Sequence, residues 1–167
     1  MLEGIEIKSL KRIHDERGFF IELMRKNWNE LFDEDEIAQA NFSMSYPGVV
    51  RAWHRHLKGQ VDYFLVLKGA LKICAYNEKL GELTEIVSTA HDLQIVRIPG
   101  LYWHGFKVIS EEPAWLLYFV NQLYDYENPD EERRPWNDPL ILPKSINGKT
   151  DDPRILKSWD WLTIPYK

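Results

Sequence analysis

One cysteine in 167 residues rules out a disulfide framework within the chain, so stability must come from a packed apolar core. That residue, Cys74, lies inside an apolar run and reads as a small core residue rather than a reactive thiol. Excess positive charge is also missing. The formal net charge is −5 and both signs are interspersed, which leaves no basic stripe to neutralise a nucleic-acid backbone and excludes nucleic acid as an expected partner. Nowhere do apolar residues run long enough to span a bilayer, and the first residues are too polar for a secretory leader, so the expectation is a cytoplasmic protein with no membrane partner. Helical periodicity is scarce. The best helix candidate is short, capped by Asn27, running through Trp28, Leu31 and Phe32, and ending in a solvated acidic cluster at 33–36.

What the chain does have is apolar and aromatic residues, 44% and 13% of the total, enough for a sizeable core in one domain spanning 1–167. Gly4 to Ile13 alternates as a first strand, Asp15 to Gly18 makes a turn, and Phe19 to Met24 resumes strand character. From 37 to 126 the pattern is strand, turn, strand. The segments are Gln39–Met44, Val49–Trp53, Val61–Leu67, Ala70–Tyr76, Thr84–Ser88, Leu93–Ile98, Trp103–Ser110 and Ala114–Val120. Many short strands without intervening helices predict an all-β fold, a barrel or jelly roll with residues 1–36 contributing N-terminal strands and the short helix. After Tyr126 the composition turns to Asn, Pro, Asp, Glu and Arg with three tryptophans, which predicts an irregular C-terminal tail (127–167) packed on the barrel or on a partner subunit.

Two segments carry the chemistry: Gly48-Val-Val-Arg-Ala-Trp-His-Arg-His56 and Ile98-Pro-Gly-Leu-Tyr-Trp-His-Gly-Phe106. Strand alternation points His54 and His56 the same way, and His104 arriving from a neighbouring strand would put three imidazoles in one concave space. Such a cluster suits either a bound metal or proton transfer near neutral pH.

Five segments in order resemble the dTDP-4-dehydrorhamnose 3,5-epimerase family of the cupin superfamily. Asp15-Glu-Arg-Gly-Phe-Phe-Ile-Glu22 is similar to its Asp-x-Arg-Gly-x-Phe-x-Glu signature, and Gln39-Ala-Asn-Phe-Ser43 to its Gln-x-Asn-x-Ser segment. Gly48 to His54 follows Gly-Val-x-Arg-Gly-x-His with Ala52 for the glycine, and Ile98 to Phe106 and Trp136-Asn-Asp-Pro139 complete the order. The resemblance implies a cupin barrel that epimerises a nucleotide-linked 4-keto-6-deoxy sugar, without a cofactor, as a homodimer in polysaccharide precursor synthesis. His54 matches the family's general base, and the opposite-face acid is a tyrosine, for which Tyr124 and Tyr126 are the candidates; Tyr118 is an alternative lining residue. A carboxylate partner for His54 would come from Asp151 or Asp152, both of which read equally well as turn residues. Arg17, Glu22, Gln39, Asn41 and Arg51 match positions that hold the pyrophosphate, base and sugar, with His56 and His104 as further substrate contacts and Phe19 or Phe20 as a stacking surface.

Two departures stand out. Asp62 falls where the family carries a lysine, so Lys58, Arg55 or His104 would have to stabilise a developing enolate. His56 stands where the family has glutamine, which moves the pattern towards metal-dependent cupins with His54, His56, Gln60 and His104 as ligands. A non-catalytic cupin binding module is the third reading, since a barrel hosts many functions.

Overall fold

The computed structural model describes residues 1–32 and 34–163. Asp33 of the acidic cluster and residues 164–167 of the tail lie outside the described residues. Two sheets face each other, with every strand pair antiparallel except one at the edge of the second. The first contains β1 (Glu6–Ser9), β4 (Gln39–Ser45), β6 (Val61–Lys68), β9 (Gln94–Pro99) and β11 (Ala114–Val120), in the order β1-β9-β6-β11-β4. The second contains β5 (Val50–Arg55), β7 (Ala70–Asn77), β8 (Glu82–Thr89), β10 (Trp103–Val108), β12 (Glu132–Arg133) and β13 (Ser145–Ile146), in the order β12-β5-β10-β7-β8-β13. A separate hairpin joins β2 (Ile13–Asp15) to β3 (Gly18–Phe20), and the helix α1 is a single turn, Asn29–Phe32.

Both sheets are covered on their outer faces, which explains the largely apolar central strands, interrupted only by Asp62 in β6 and Lys72 in β7 within residues 61–67 and 70–76. Residues 61–66 of β6 and 71–76 of β7 are buried throughout. Phe64, Val66, Leu71, Ile73, Val96, Ile98 and Phe106 meet between the sheets. Tyr63, Leu65 and Ile95 point outward from the first sheet into a cover built by Leu31, Phe32 and the segment around Ile21, Leu23 and Met24. Trp53, Cys74, Tyr76, Leu83 and Trp103 point outward from the second sheet, and the C-terminal tail seals them with Ile141, Trp159 and Trp161. The expected irregular tail is therefore part of the core, and its packing fixes the back of the strand that carries His54.

The N-terminal expectations need correction. The single strand from Gly4 to Ile13 is two, because Arg12 turns out to donate to the Ala90 and His91 carbonyls and ends the pairing of β1 with β9. The strand at Phe19 to Met24 stops at Phe20, after which Ile21, Leu23 and Met24 pack as an irregular cover. Asn27 does not cap the helix; its side chain accepts a hydrogen bond from Arg25 Nε, and the turn is closed by Leu31 and Phe32 N–H groups on the Trp28 carbonyl.

Candidate active site

A cavity of about 680 Å³ opens at one end between the sheets. Its floor is built by β5 and β10. These strands pair with His54 opposite His104, and the register slips by one residue before the next pair, Arg51 opposite Phe106. The slip changes which residues face inward, so Arg51, three positions before His54, lines the same cavity. Gly105 permits it: a Cβ there would lie 2.3 Å from the Ala52 Cβ and 2.6 Å from the Arg51 carbonyl oxygen. Gly100 performs a similar service under His56. A Cβ would stand 2.3 Å from the Gln60 carbonyl oxygen and 2.8 Å from the His56 Cβ, while Gly100 exchanges backbone hydrogen bonds with His56 and Gln60.

The three imidazoles predicted to converge do so. Ring centroids are 4.3 Å apart for His54 and His104, 5.6 Å for His56 and His104, and 6.0 Å for His54 and His56. His104 is fully buried and its Nδ1 donates to the Tyr102 carbonyl at 2.8 Å. The His56 Nδ1 likewise donates to the Asp130 carbonyl. Both rings therefore turn Nε2 towards Asp62, which is only 2% exposed. Asp62 Oδ2 lies 2.9 Å from His104 Nε2 and 3.6 Å from His56 Nε2. The closer contact is an ion-pair distance without hydrogen-bond alignment, leaving His104 Nε2 with no directed partner. Gln60 Nε2 bridges Asp62 Oδ1 at 2.9 Å and His56 Nε2 at 3.1 Å.

Burial, and after it the neighbouring His104, hold the His54 imidazole well below its usual 6.5. Burial alone would raise the Asp62 carboxyl, but the His104 contact and the surrounding imidazoles outweigh it and keep Asp62 ionised. Tyr118, on β11 across from Phe64, is pushed upward by burial and by Asp62, so its phenol stays protonated.

Of the residues singled out in the sequence, Gln39, Asn41, Arg51, His54, His56, Gln60, Tyr118, Tyr124 and Tyr126 line the cavity. Gln39 Oε1 accepts from the Tyr124 backbone and so ties the tyrosine loop to β4. Tyr124 and Tyr126 stack edge-on at the mouth, 43% and 87% exposed. Four of the residues expected at the site lie elsewhere, the first being His104, which is fully buried and outside the cavity lining, so it is no direct substrate contact. Arg17 pairs with Asp15 in the exposed β2–β3 turn, Glu22 pairs with Arg25, and Asp151 is an exposed residue of the tail, which packs on the outer face of the second sheet. Asp152 is bound to Arg154, which also reaches Glu85 on β8. The substitutes for the missing lysine are not at the cavity wall either: Arg55 lies over the Trp103 ring and Lys58 reaches the Asn128 carbonyl. Sequence reasoning overlooked Arg133, Arg134 and Glu131, which line the wall opposite Tyr118. The short strand β12 brings them there by pairing with β5, a pairing with no periodic signal in two residues.

A deep barrel mouth lined by histidines, tyrosines and arginines on a two-sheet jelly roll defines a cupin of the sugar-epimerase type. The chain belongs to the family described as the polysaccharide biosynthesis C-terminal domain, which matches residues 13–132. A probable low-salt glycan biosynthesis epimerase of Haloferax volcanii is 43% identical over 141 residues, spanning 81% of this chain and 89% of the relative. The spore coat polysaccharide biosynthesis protein SpsL of Bacillus subtilis is 34% identical over 146 residues, with 84% and 94% covered. Among solved structures, the dTDP-6-deoxy-D-glucose-3,5-epimerase of Legionella pneumophila in complex with dTDP-4-keto-L-rhamnose superposes with a TM-score of 0.74 at 25% identity, over 95% of each chain.

Proposed function

We propose that this protein inverts a stereocentre next to the ketone of a nucleotide-linked 4-keto-6-deoxyhexose, in the synthesis of a polysaccharide precursor. The observation that carries the reading is His54, unprotonated by its surroundings, set in the floor of a cavity whose other walls carry protonated tyrosine and arginine. The ketone acidifies the carbon–hydrogen bond beside it. His54 takes that proton from one face, and a phenol returns one from the other. Tyr124 and Tyr126 occupy the mouth; Tyr118, deeper and partly buried, is the better placed of the three to meet a sugar ring lying over His54. Arg51 and Arg133 suit a diphosphate at the rim, where a planar guanidinium gives charge-assisted, bidentate contacts.

The working unit we infer is one cupin domain acting as a cytoplasmic homodimer. The β2–β3 hairpin is paired with neither large sheet and exposes Phe19 and Phe20 at 56% and 63%. A second copy receiving that hairpin would cover this apolar surface and bring Arg17 and Glu22 to a cavity they do not reach in their own chain. No helix among the described residues is long and apolar enough to cross a membrane.

The test is incubation of the protein with dTDP-4-keto-6-deoxyglucose in deuterium oxide, following label at C3 and C5 by NMR. Uptake at either carbon is the expected result and identifies which centre is inverted; no uptake with this and the corresponding UDP-linked ketone would sink the assignment.

A further inference from the structure

The cover on the outer face of the first sheet contains a polar network that the proton-transfer scheme leaves without a task. Its centre is Asp35, between α1 and β4, whose two carboxylate oxygens are both engaged. Oδ2 faces the sheet. It accepts from the Tyr63 hydroxyl at 2.6 Å and from Arg97 Nη2 at 3.0 Å, two residues that stand opposite each other on β6 and β9. Oδ1 faces the end of β11, where it accepts from Asn121 Nδ2 at 3.0 Å. Asn121 in turn accepts from the Val61 N–H at 2.8 Å and donates to the Gly59 carbonyl at 3.2 Å.

Asn121 is the root of the strap 121–130, which carries Tyr124 and Tyr126 across the cavity mouth. None of these ten residues belongs to a strand, so the strap is placed by side-chain anchors and not by sheet pairing. Gln122 Nε2 donates to the Lys58 carbonyl, the Tyr124 N–H donates to Gln39 Oε1, and the Asp130 carboxylate accepts from the Leu57 and Lys58 N–H groups. Asp35 and Gln39 both lie in the lead-in to β4, where the Ala38 N–H is tied to the Val120 carbonyl. One short segment therefore holds the strap twice, at its root through Asp35 and at Tyr124 through Gln39.

We propose that Asp35 is a positioning residue for substrate binding: from outside the cavity, and through Asn121, it sets the tyrosine strap against the diphosphate end of the bound nucleotide sugar. That role rests on the nucleotide-sugar reading of the cavity. Tyr124, Tyr126 and Arg133 share the mouth, so a diphosphate seated on the arginines lies against the strap. A carboxylate suits the position because it accepts on both sides at once, whereas an amide offers one oxygen and one donor. Burial, and Asp35 with it, push the Tyr63 phenol up, which keeps it a donor to Oδ2. An amide at position 35 would thus turn its oxygen to Tyr63 and Arg97 and set its NH2 against Asn121 Nδ2, donor against donor. His54 and Tyr118 are held by strand pairing and take no part in the network, so affinity should change and chemistry should not.

The test is calorimetric titration of the full chain with dTDP and with UDP, beside deuterium exchange at saturating dTDP-4-keto-6-deoxyglucose. Asp35→Asn should weaken the nucleotide Kd about three- to tenfold, as expected for one lost hydrogen bond, and leave the saturated exchange rate within about twofold. Adding Asn121→Asp gives the new amide a carboxylate to donate to and should recover most of the affinity, which a general packing defect would not allow. Tyr63→Phe removes a donor from the other oxygen and should lower Tm while Kd stays native. Asn121→Ala cuts the same link from the strap side, should weaken Kd likewise, and decides the matter if Asp35→Asn does not fold. Native affinity in a folded Asp35→Asn or Asn121→Ala protein, no recovery in a folded double variant, or an equal loss of affinity in Tyr63→Phe overturns the role of Asp35. Binding of neither nucleotide by the native protein overturns it together with the nucleotide-sugar reading. Affinities that follow the expected series, with no exchange into the ketosugar, support the role of Asp35 and count against the epimerase alone.

Discussion

His54 and His104 occupy directly opposed positions on antiparallel β5 and β10, with ring centroids 4.3 Å apart and planes at 73°. The alignment depends on the register slip that follows and on the absence of a side chain at Gly105. Replacing Gly105 by alanine forces a methyl into the Ala52 side chain and the Arg51 carbonyl, with no flexible side-chain end to give way. The expected cost is about 1–3 kcal/mol of stability in denaturant unfolding, as for other overpacked interiors. A loss of epimerisation greater than the loss of folded protein would accompany it, because the strand that moves is the one carrying His54.

Substitution of His54 by asparagine leaves a smaller polar side chain in place of the imidazole and removes the base. Solvent-deuterium uptake into a ketosugar nucleotide should fall by roughly 10²–10⁴-fold with substrate affinity little changed. Uptake near the native rate in a correctly folded His54→Asn protein would place the base elsewhere.

The acid limb of the activity profile follows from the same residue. A general base works unprotonated, and an ordinary imidazole is half protonated at 6.5; burial and His104 hold His54 well below that value. On acidification kcat/KM should therefore stay level through pH 6.5 and decline only at lower pH. Stability moves in the opposite sense to a favourable His⁺ contact. With the folded pKa depressed, the unfolded chain binds more protons below 6.5, so stability is lost as pH drops from 6.5 towards the folded value. His54→Asn should flatten that part of the dependence of Tm on pH, and an unchanged slope would contradict the burial argument.

Most of the architecture was legible in the sequence because the central strands are buried on both faces and read as apolar runs, as in Tyr63 to Leu67. The convergence of His54, His56 and His104 was legible too, since it needs only the two-residue alternation and one neighbouring strand. Other features depended on pairing that leaves no local trace. Strict alternation separates Arg51 from His54, and only the register slip between β5 and β10 brings them to one wall. Asp62 read as a lost cation; its meaning as a carboxylate facing two Nε2 atoms required the tautomers set by the Tyr102 and Asp130 carbonyls, which are fixed by folds of the chain 2 and 74 residues away. Asp151 and Asp152 illustrate the reverse case. Their place in the sequence order invited a role beside His54, whereas the tail carrying them is drawn to the outer face of the second sheet by Trp159 and Trp161, and Asp152 is taken up by Arg154.

Arg51 and Arg133 provide a test of substrate charge. Among the described residues the Arg51 side chain makes only a long contact to the Met44 carbonyl, at 3.5 Å, and Arg51 is exposed, so Arg51→Ala should leave Tm nearly unchanged. A hydrogen bond to a charged group contributes about 1.5–3 kcal/mol, and each 1.4 kcal/mol is a factor of ten, so KM for a nucleotide-linked sugar should rise about 10- to 100-fold while kcat changes less. The same variant should not alter the affinity for the free sugar lacking its diphosphate. A KM unchanged for the nucleotide-linked substrate would move the diphosphate to another part of the rim.

The tail is the last element whose contribution can be measured separately from chemistry. Trp161 is completely buried, with its ring centroid 4.8 Å from that of Trp53 and 6.2 Å from that of Trp159. Trp53 in turn is the residue before His54 and points out of the opposite face of β5. Trp161→Ala should cost about 3–5 kcal/mol, a large share of the 5–15 kcal/mol that holds an ordinary domain together. Leu162, the next residue, is 60% exposed, and Leu162→Ala should stay within about 0.5 kcal/mol of the native protein. The contrast between adjacent positions separates loss of core packing from mere shortening or fraying of the C-terminus. If both variants melted together near the native temperature, the tail would be a loose appendage; if Trp161→Ala alone is destabilised and its remaining folded fraction shows a lower kcat, the tail braces the strand that holds the base.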